Sequence, residues 1–514
     1  MTLISKRISA ATLSLALGFT IAGAPMLAPV ASAQISQNDV SSVDLTANAS
    51  LTINKRFGDP VAAGDPENAP GDPLPGVQFR IERVDFDNEL NTLAGWNDLM
   101  QLQETAGALD DLIAADENTG GKTTIDTITT GTDGSVSIDL AVGVYLVTEL
   151  QAGNYTVAKP FLVSLPFTDS DGVWNYHQVV APKNQVASVS KDVADAGATI
   201  GSTINYTARA SVPADDLDRF VIIDNLPTAL AAPQADAVEV SSPEGTPLAE
   251  GTDYSLTIAG QEVRIEFLEA GLENLETQRL TNPGLEVVVT FPAQIIDLPA
   301  NGIIRNDIEV LLPNNGRVTT DPNDPDNPGE PEDGAETHLG SLTINKRDAA
   351  GELILNDSAK FELWRCQEQE QVLTLVGERL FASNSSDISG DPSSHRIDEF
   401  ETVNGEITVY GVQVIDHVNG VAPTADESDK LCVIETEAPE GYVINPEPQE
   451  VTFVDPDNPE DFRMVVDVTN YEDTIIGQLP ATGGKGTLAL IAAGVLAAIA
   501  GGFAALRGNR ARNS

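Results

Sequence analysis

Ser50-Leu51-Thr52-Ile53-Asn54-Lys55-Arg56 returns unchanged as Ser341-Leu342-Thr343-Ile344-Asn345-Lys346-Arg347. Each copy is followed by an acidic turn and an alternating strand, Val77 to Ile81 after the first and Phe361 to Trp364 after the second, so two domains begin alike. They also end alike. Val144-Tyr145-Leu146-Val147-Thr148-Glu149 parallels Leu431-Cys432-Val433-Ile434-Glu435-Thr436, and both run on to a tyrosine (Tyr155, Tyr442) and a last strand. Short strands with turn signals between them describe a small β-sandwich of immunoglobulin-like type.

Between the two copies, residues 185–338 have their own opening (Val186 to Val193), alternating strands (Thr203 to Ala208, Glu262 to Phe267) and a closing run, Ile303 to Leu312. This is a third sandwich. In the first domain, Glu89 to Ala115 spaces Leu93, Trp96, Leu99, Met100 and Leu102 as an amphipathic helix inserted into the β scaffold. The composition agrees: 41% hydrophobic residues support packed cores, and 514 residues exceed what one core organises. The expected fold is all-β, with three tandem immunoglobulin-like sandwiches at 34–184, 185–338 and 339–474.

The two ends read differently. Lys6 and Arg7, an apolar run from Ile8 to about Leu27, and Ala31-Ser32-Ala33 form a secretory signal peptide, 1–33, cleaved after Ala33. At the other end, 475–514 carries Leu479-Pro480-Ala481-Thr482-Gly483, an apolar stretch from Thr487 to Leu506 long enough to cross a bilayer as a helix, and Arg507, Arg510 and Arg512. This resembles a cell-wall sorting signal. The resemblance implies a sortase that cuts between Thr482 and Gly483 and passes the threonyl acyl group to an amine.

All 78 acidic residues lie between these ends, against 22 of the 28 basic ones, so residues 34–482 carry a formal charge of −56. That field argues against nucleic acid as a partner. Two cysteines in an exported chain point to one disulfide, Cys366 with Cys432. The four histidines, His177, His338, His395 and His417, are widely separated, and no nucleophile elbow or phosphate loop occurs. The expectation is a protein that is not an enzyme acting on an outside substrate and that has no cofactor or metal centre. Asp321 to Asp333 reads as a linker; its oxygen ligands suit calcium, but it lacks the ordered spacing of an EF-hand loop.

Trp174-Asn175-Tyr176-His177-Gln178-Val179-Val180-Ala181-Pro182-Lys183-Asn184 resembles the pilin motif of sortase-assembled pili, with Ala181 where a tyrosine is usual. Strand alternation that buries Val180 and Pro182 turns Lys183 outward. By that resemblance Lys183 attacks the acyl enzyme holding Thr482 of another subunit, and repetition yields an unbranched head-to-tail polymer. Glu435-Thr436-Glu437-Ala438-Pro439-Glu440-Gly441-Tyr442 resembles the E-box of such pilins and of collagen-adhesin B-type domains. There a first-strand lysine condenses with a last-strand asparagine beside a buried acid; the matching residues are Lys346, Asn470 and Glu435. Lys191, Asn306 and Asp224 offer the same trio in the middle domain, and Lys55, Asn184 and Glu149 stand in analogous places in the first.

The resemblance therefore implies a major shaft pilin of a Gram-positive bacterium. Its partners would be identical subunits, pilus-specific and housekeeping sortases, peptidoglycan, and tip and base pilins. The alternative is a monomeric wall-anchored adhesin, which would share the sandwiches and the sorting signal but leave Lys183 unused.

Overall fold

A computed structural model describes residues 40–59, 66–168, 173–214, 216–324, 334–355, 357–369, 372–386, 392–415, 430–455 and 462–473. The signal peptide and the sorting signal lie outside the described residues.

The heptapeptide repeat is a structural repeat. In the first domain Ala49–Asn54 alternates buried and half-buried positions, sending Ala49, Leu51 and Ile53 into the core. It lies between Ser135–Leu140, antiparallel, and His177–Val180, parallel. In the third domain Ala335–Arg347 lies likewise between Glu406–Ile415, antiparallel, and Arg463–Thr469, parallel. Leu342 and Ile344 point inward there as Leu51 and Ile53 do in the first domain. Opening and closing strands are thus direct neighbours in both units, which is what brings a residue at the end of one against a residue at the end of the other.

The second sheet of the first domain orders Lys122–Thr129, Gln78–Val84, Gly143–Glu149 and Phe161–Leu165. One of its faces packs on the sandwich core and the other on Trp96, Leu99 and Leu112 of the inserted helices. Covered on both faces, Gly143–Glu149 is apolar almost throughout instead of alternating. The expected single helix is two, Leu93–Glu104 and Ala108–Ala114. Gly107 breaks it by taking φ 81°, a left-handed conformation open to glycine.

In the middle domain one sheet contains Val189–Ala194, Thr203–Ser211 and Glu286–Ile295, and the other Glu262–Phe267, Val221–Asn225 and Glu309–Leu311. The expected single closing strand from Ile303 to Leu312 divides. Ile303–Asn306 pairs with the start of the long Ala335–Arg347 strand, whereas Glu309–Leu311 pairs with Val221–Ile223. The expected division at 338/339 therefore falls inside a continuous strand of 13 residues that serves both domains.

Polar contacts fix this junction. Thr337 donates to Asp195 Oδ2 at 2.7 Å, and the buried Gln413 amide donates to the Asp195 carbonyl at 2.7 Å while accepting from the Ala198 N–H at 2.9 Å. At the other junction the buried Arg279 guanidinium reaches Gln185 and Asp59 across the boundary, and Asn314 donates to the Val157 carbonyl at 2.9 Å.

Candidate functional site

All three lysine, acid and asparagine trios are assembled in the fold. Lys55, one residue beyond the Ala49–Asn54 strand, is wholly buried. Its Nζ lies 2.6 Å from Glu149 Oε2 and 2.5 Å from Asn184 Oδ1, while the Asn184 amide donates to Glu149 Oε1 at 2.5 Å. The Phe79 ring, 5.7 Å away, forms one wall of the pocket. Burial pushes the Lys55 amine below its ordinary value, toward the neutral nucleophile.

In the middle domain Lys191 makes a close ion pair with Asp224 and donates to the Asp307 carbonyl at 3.3 Å. Tyr206 and Phe291 close over the ammonium with ring centres 5.1 and 5.3 Å away. Burial again lowers the lysine and raises the acid. Asn306 lies beside Asp224 with no exposed surface, and among the described residues neither its amide oxygen nor its nitrogen makes a well-formed hydrogen bond. An amide left that way in a core is costly, on the order of 1–3 kcal/mol per group, unless the group is used in another way.

In the third domain Lys346 is fully buried; its Nζ donates to the Val468 carbonyl at 2.8 Å and stands 3.6 Å from Glu435 Oε1. Burial holds this amine down at about 8 and pushes Glu435 up. Glu435 accepts from the Asn445 N–H at 2.6 Å and from the Asn470 amide at 2.8 Å, leaving Asn470 Oδ1 without a partner among the described residues. Half a turn of that amide exchanges its oxygen and nitrogen, and a protonated Glu435 then donates to Oδ1. That is the arrangement in which an acid polarises an amide carbonyl for attack by a neighbouring amine.

Lys183 lies in the short strand Lys183–Asn184, which pairs parallel with Arg56–Phe57. The alternation expected from sequence holds, since Asn184 is buried and Lys183 half-buried on the other face. Backbone bonds at both ends pin this ribbon, Arg56 N–H to the Pro182 carbonyl at 3.1 Å and Gly58 N–H to the Asn184 carbonyl at 2.9 Å. Trp174 of the same motif stacks on Trp96 at 5.3 Å and donates to Ser42 Oγ at 3.0 Å, tying the closing segment to the helical insertion. Cys366 and Cys432 are disulfide-bonded, as expected. Leu479, Pro480, Ala481, Thr482 and Gly483 lie outside the described residues, as do the apolar stretch after them and most of the 321–333 linker.

Sequence reasoning missed the aromatic walls around Lys191. It also missed a buried ion pair in the first domain, Lys122 Nζ to Glu82 Oε2 at 3.3 Å. Alternation turns Glu82 away from the sandwich core, and that face is buried because the inserted helices cover it, beside Val84 and Leu146.

Residues 47–185 match the Gram-positive pilin subunit D1, N-terminal domain, and residues 473–513 match the LPXTG cell wall anchor motif. The chain therefore carries a Gram-positive pilin domain and a wall-anchor signal. Over 541 aligned positions the pilin is 29% identical to fimbrial subunit type 1 of Actinomyces viscosus, covering 98% of each chain. It is 28% identical to fimbrial subunit type 2 of Actinomyces naeslundii, over 91% of this chain and 90% of that one. In fold the pilin is similar to the full-length major pilin SpaD of Corynebacterium diphtheriae, with a TM-score of 0.59 at 24% identity over 84% of this chain and 100% of that one. A pilin with a wall-anchor signal is a sortase substrate, joined to other pilins and to the cell wall, and it works outside the membrane.

Proposed function

We propose that this pilin is the repeating shaft subunit of its pilus, joined head to tail by an amide between Lys183 Nζ of one copy and the Thr482 carbonyl of the next. The observation that carries this reading is the position of Lys183. It faces outward on a ribbon held at both ends, one residue from a buried asparagine. A sortase holding Thr482 as a thioester would transfer that acyl group to the Lys183 amine, the thiol leaving and the amine losing a proton. Tip and base pilins would join the two ends of the same polymer, with peptidoglycan as the final acceptor.

Each trio would close an internal amide in the same terms. The neutral lysine attacks the asparagine carboxamide carbon, the acid polarises the carbonyl and delivers the proton that the departing ammonia needs, and the fold supplies the effective concentration. Lys191 would bond Asn306 beside Asp224, and Lys346 would bond Asn470 beside Glu435. Lys55 would bond Asn184 beside Glu149; the short contacts among those three support a bond there on the same footing. The chain would perform this chemistry once, on itself, and turn over no outside substrate.

Boiling wall extracts in detergent and resolving them by gel tests the linkage. The wild-type chain gives a ladder of covalent multimers that collapses to monomer in Lys183→Ala. An unchanged ladder refutes the assignment of Lys183. A single species already in the wild type favours the monomeric adhesin.

A further inference from the structure

The two ends of the described chain have complementary surfaces. In the first domain, the end away from Lys183 holds a cleft of about 510 Å³ whose walls include Leu45, Phe86, Ile125 and Val142. The bulge opposite Ile81 and Glu82 leaves Ile125 unpaired and 46% exposed. Arg83 also lines this cleft and has no carboxylate partner among the described residues. At the far end of the third domain, Leu355, Val403, Val443, Ile444 and Tyr471 are all exposed, with Val403 at 72% and Tyr471 at 67%. Topology gathers them there. Tyr471 follows the closing strand and pairs with Val443, Leu355 follows the residue bonded to the Lys346 carbonyl, and Val403 bridges to the start of Glu406–Ile415.

We infer that the exposed apolar end of one copy of this chain docks in the cleft at the opposite end of the next, forming a noncovalent joint beside the covalent one. This rests on the head-to-tail linkage proposed above, and the occupant follows from the length of the tail. The described chain ends at Asp473, and Thr482 is nine residues further on; at no more than about 3.4 Å per residue the tail spans at most about 31 Å. Thr482 must reach Lys183, so the neighbour's third domain is held within that distance of the first. The cleft is inside this radius, because Gly143–Glu149, which runs from the cleft to the Lys55 pocket, rises only about 20 Å. Charge selects the same pairing. Two copies at −56 repel, and Arg83 in the socket would meet the exposed Glu472 next to Tyr471 on the incoming end.

The test uses the full-length chain on cells, with Tyr471→p-benzoylphenylalanine incorporated by codon suppression. Intact fibres are irradiated, released and digested, and cross-linked peptides are sequenced by mass spectrometry. Adducts from position 471 to residues 83–90, 125 or 141–144 are expected, and these segments lie at opposite ends of one chain, so such adducts join two copies. Adducts confined to the Lys183 ribbon, to the sides of the sandwiches or to the same chain's third domain overturn the joint, as does the absence of any adduct. The Lys183–Thr482 branched peptide is read in the same digest, so failure of the linkage and failure of the joint are separate results. Arg83→Glu should also slow ladder formation by roughly threefold, the scale of an exposed ion pair, and Glu472→Arg should restore it. A rate unmoved by both refutes the charge pairing.

Discussion

Replacing Glu435 with Gln tests the central chemistry of the third domain with almost no change in shape. The amide can still accept from the Asn445 N–H, as the acid does at 2.6 Å, but it cannot supply a proton. If Glu435 promotes the bond, the variant keeps one ammonia that the wild type loses, and its mass shows this directly. Lys346 and Asn470 are 124 positions apart (470 less 346); by the chain-entropy relation used for disulfides, opening that loop costs roughly 5 kcal/mol. For a domain of about 135 residues, unfolding near 2 cal/mol/K per residue, the melting transition should fall by roughly 17 °C. A second signature follows from the lysine. Bonded, it does not titrate; unbonded, its folded value lies well below the ordinary 10.5, near 8 even with Glu435 as a carboxylate neighbour. The unfolded chain then binds the proton more tightly, so the stability of the variant should rise with pH between about 8 and 10.5, by up to about 1.4 kcal/mol per unit. The wild type should be flat over that window. Calorimetry and intact mass on the mature chain provide the assay. A variant that still loses the ammonia, or one that keeps it yet melts with the wild type, refutes the reasoning.

Glu149→Gln should likewise leave one ammonia in the first domain, so the wild-type mature chain should lack three and this variant two; a wild-type chain lacking only two, with Lys55 and Asn184 unmodified in the peptide map, removes the third bond. Asn306→Ala should expose the middle domain to tension. In single-molecule stretching of fibres, the 115 residue-to-residue steps from 191 to 306 then extend by up to about 390 Å per subunit, whereas wild-type fibres should show no such step.

The opening strands and their lysines were legible because the heptapeptide repeats and because strand alternation fixes which way each residue points. Leu51, Ile53, Leu342 and Ile344 are in the cores, and Lys183 and Asn184 face opposite ways, as alternation requires. The trios were legible through the resemblance to pilin and E-box motifs; in the first and third domains the adjacency of opening and closing strands then accounts for lysine and asparagine meeting. Three features were not. The helix break depends on Gly107 adopting a positive φ, one residue within an otherwise continuous apolar pattern. Glu82 alternates regularly onto the outer face of its sheet, and its burial there depends on the inserted helices closing over that face, which a period-two reading of one strand does not register. The run from Ile303 to Leu312 looks like one strand because both halves are apolar in alternation, yet each half pairs with a different sheet.

That divided strand bears on how the shaft would carry tension. With load entering at Lys183 and leaving at Thr482, residues 34–182 lie off the path, and the first domain hangs from it. The proposed bonds from Lys191 to Asn306 and from Lys346 to Asn470 would take the load across the middle and third sandwiches, leaving the backbone between each pair relaxed. Between Asn306 and Lys346 no proposed bond intervenes. There the load falls on the antiparallel register from Ile303 with His338 to Asn306 with Ala335, four pairs aligned along the long strand and therefore loaded together in shear. Arg305 braces that register through Glu336 at 2.9 Å and Asp307 at 3.0 Å, and Thr337 and Gln413 tie it to Asp195. With those bonds in place, the junction between the second and third domains would be the stretch where the fibre depends on hydrogen bonds and packing, which gives a physical reason for one strand to run unbroken through both domains.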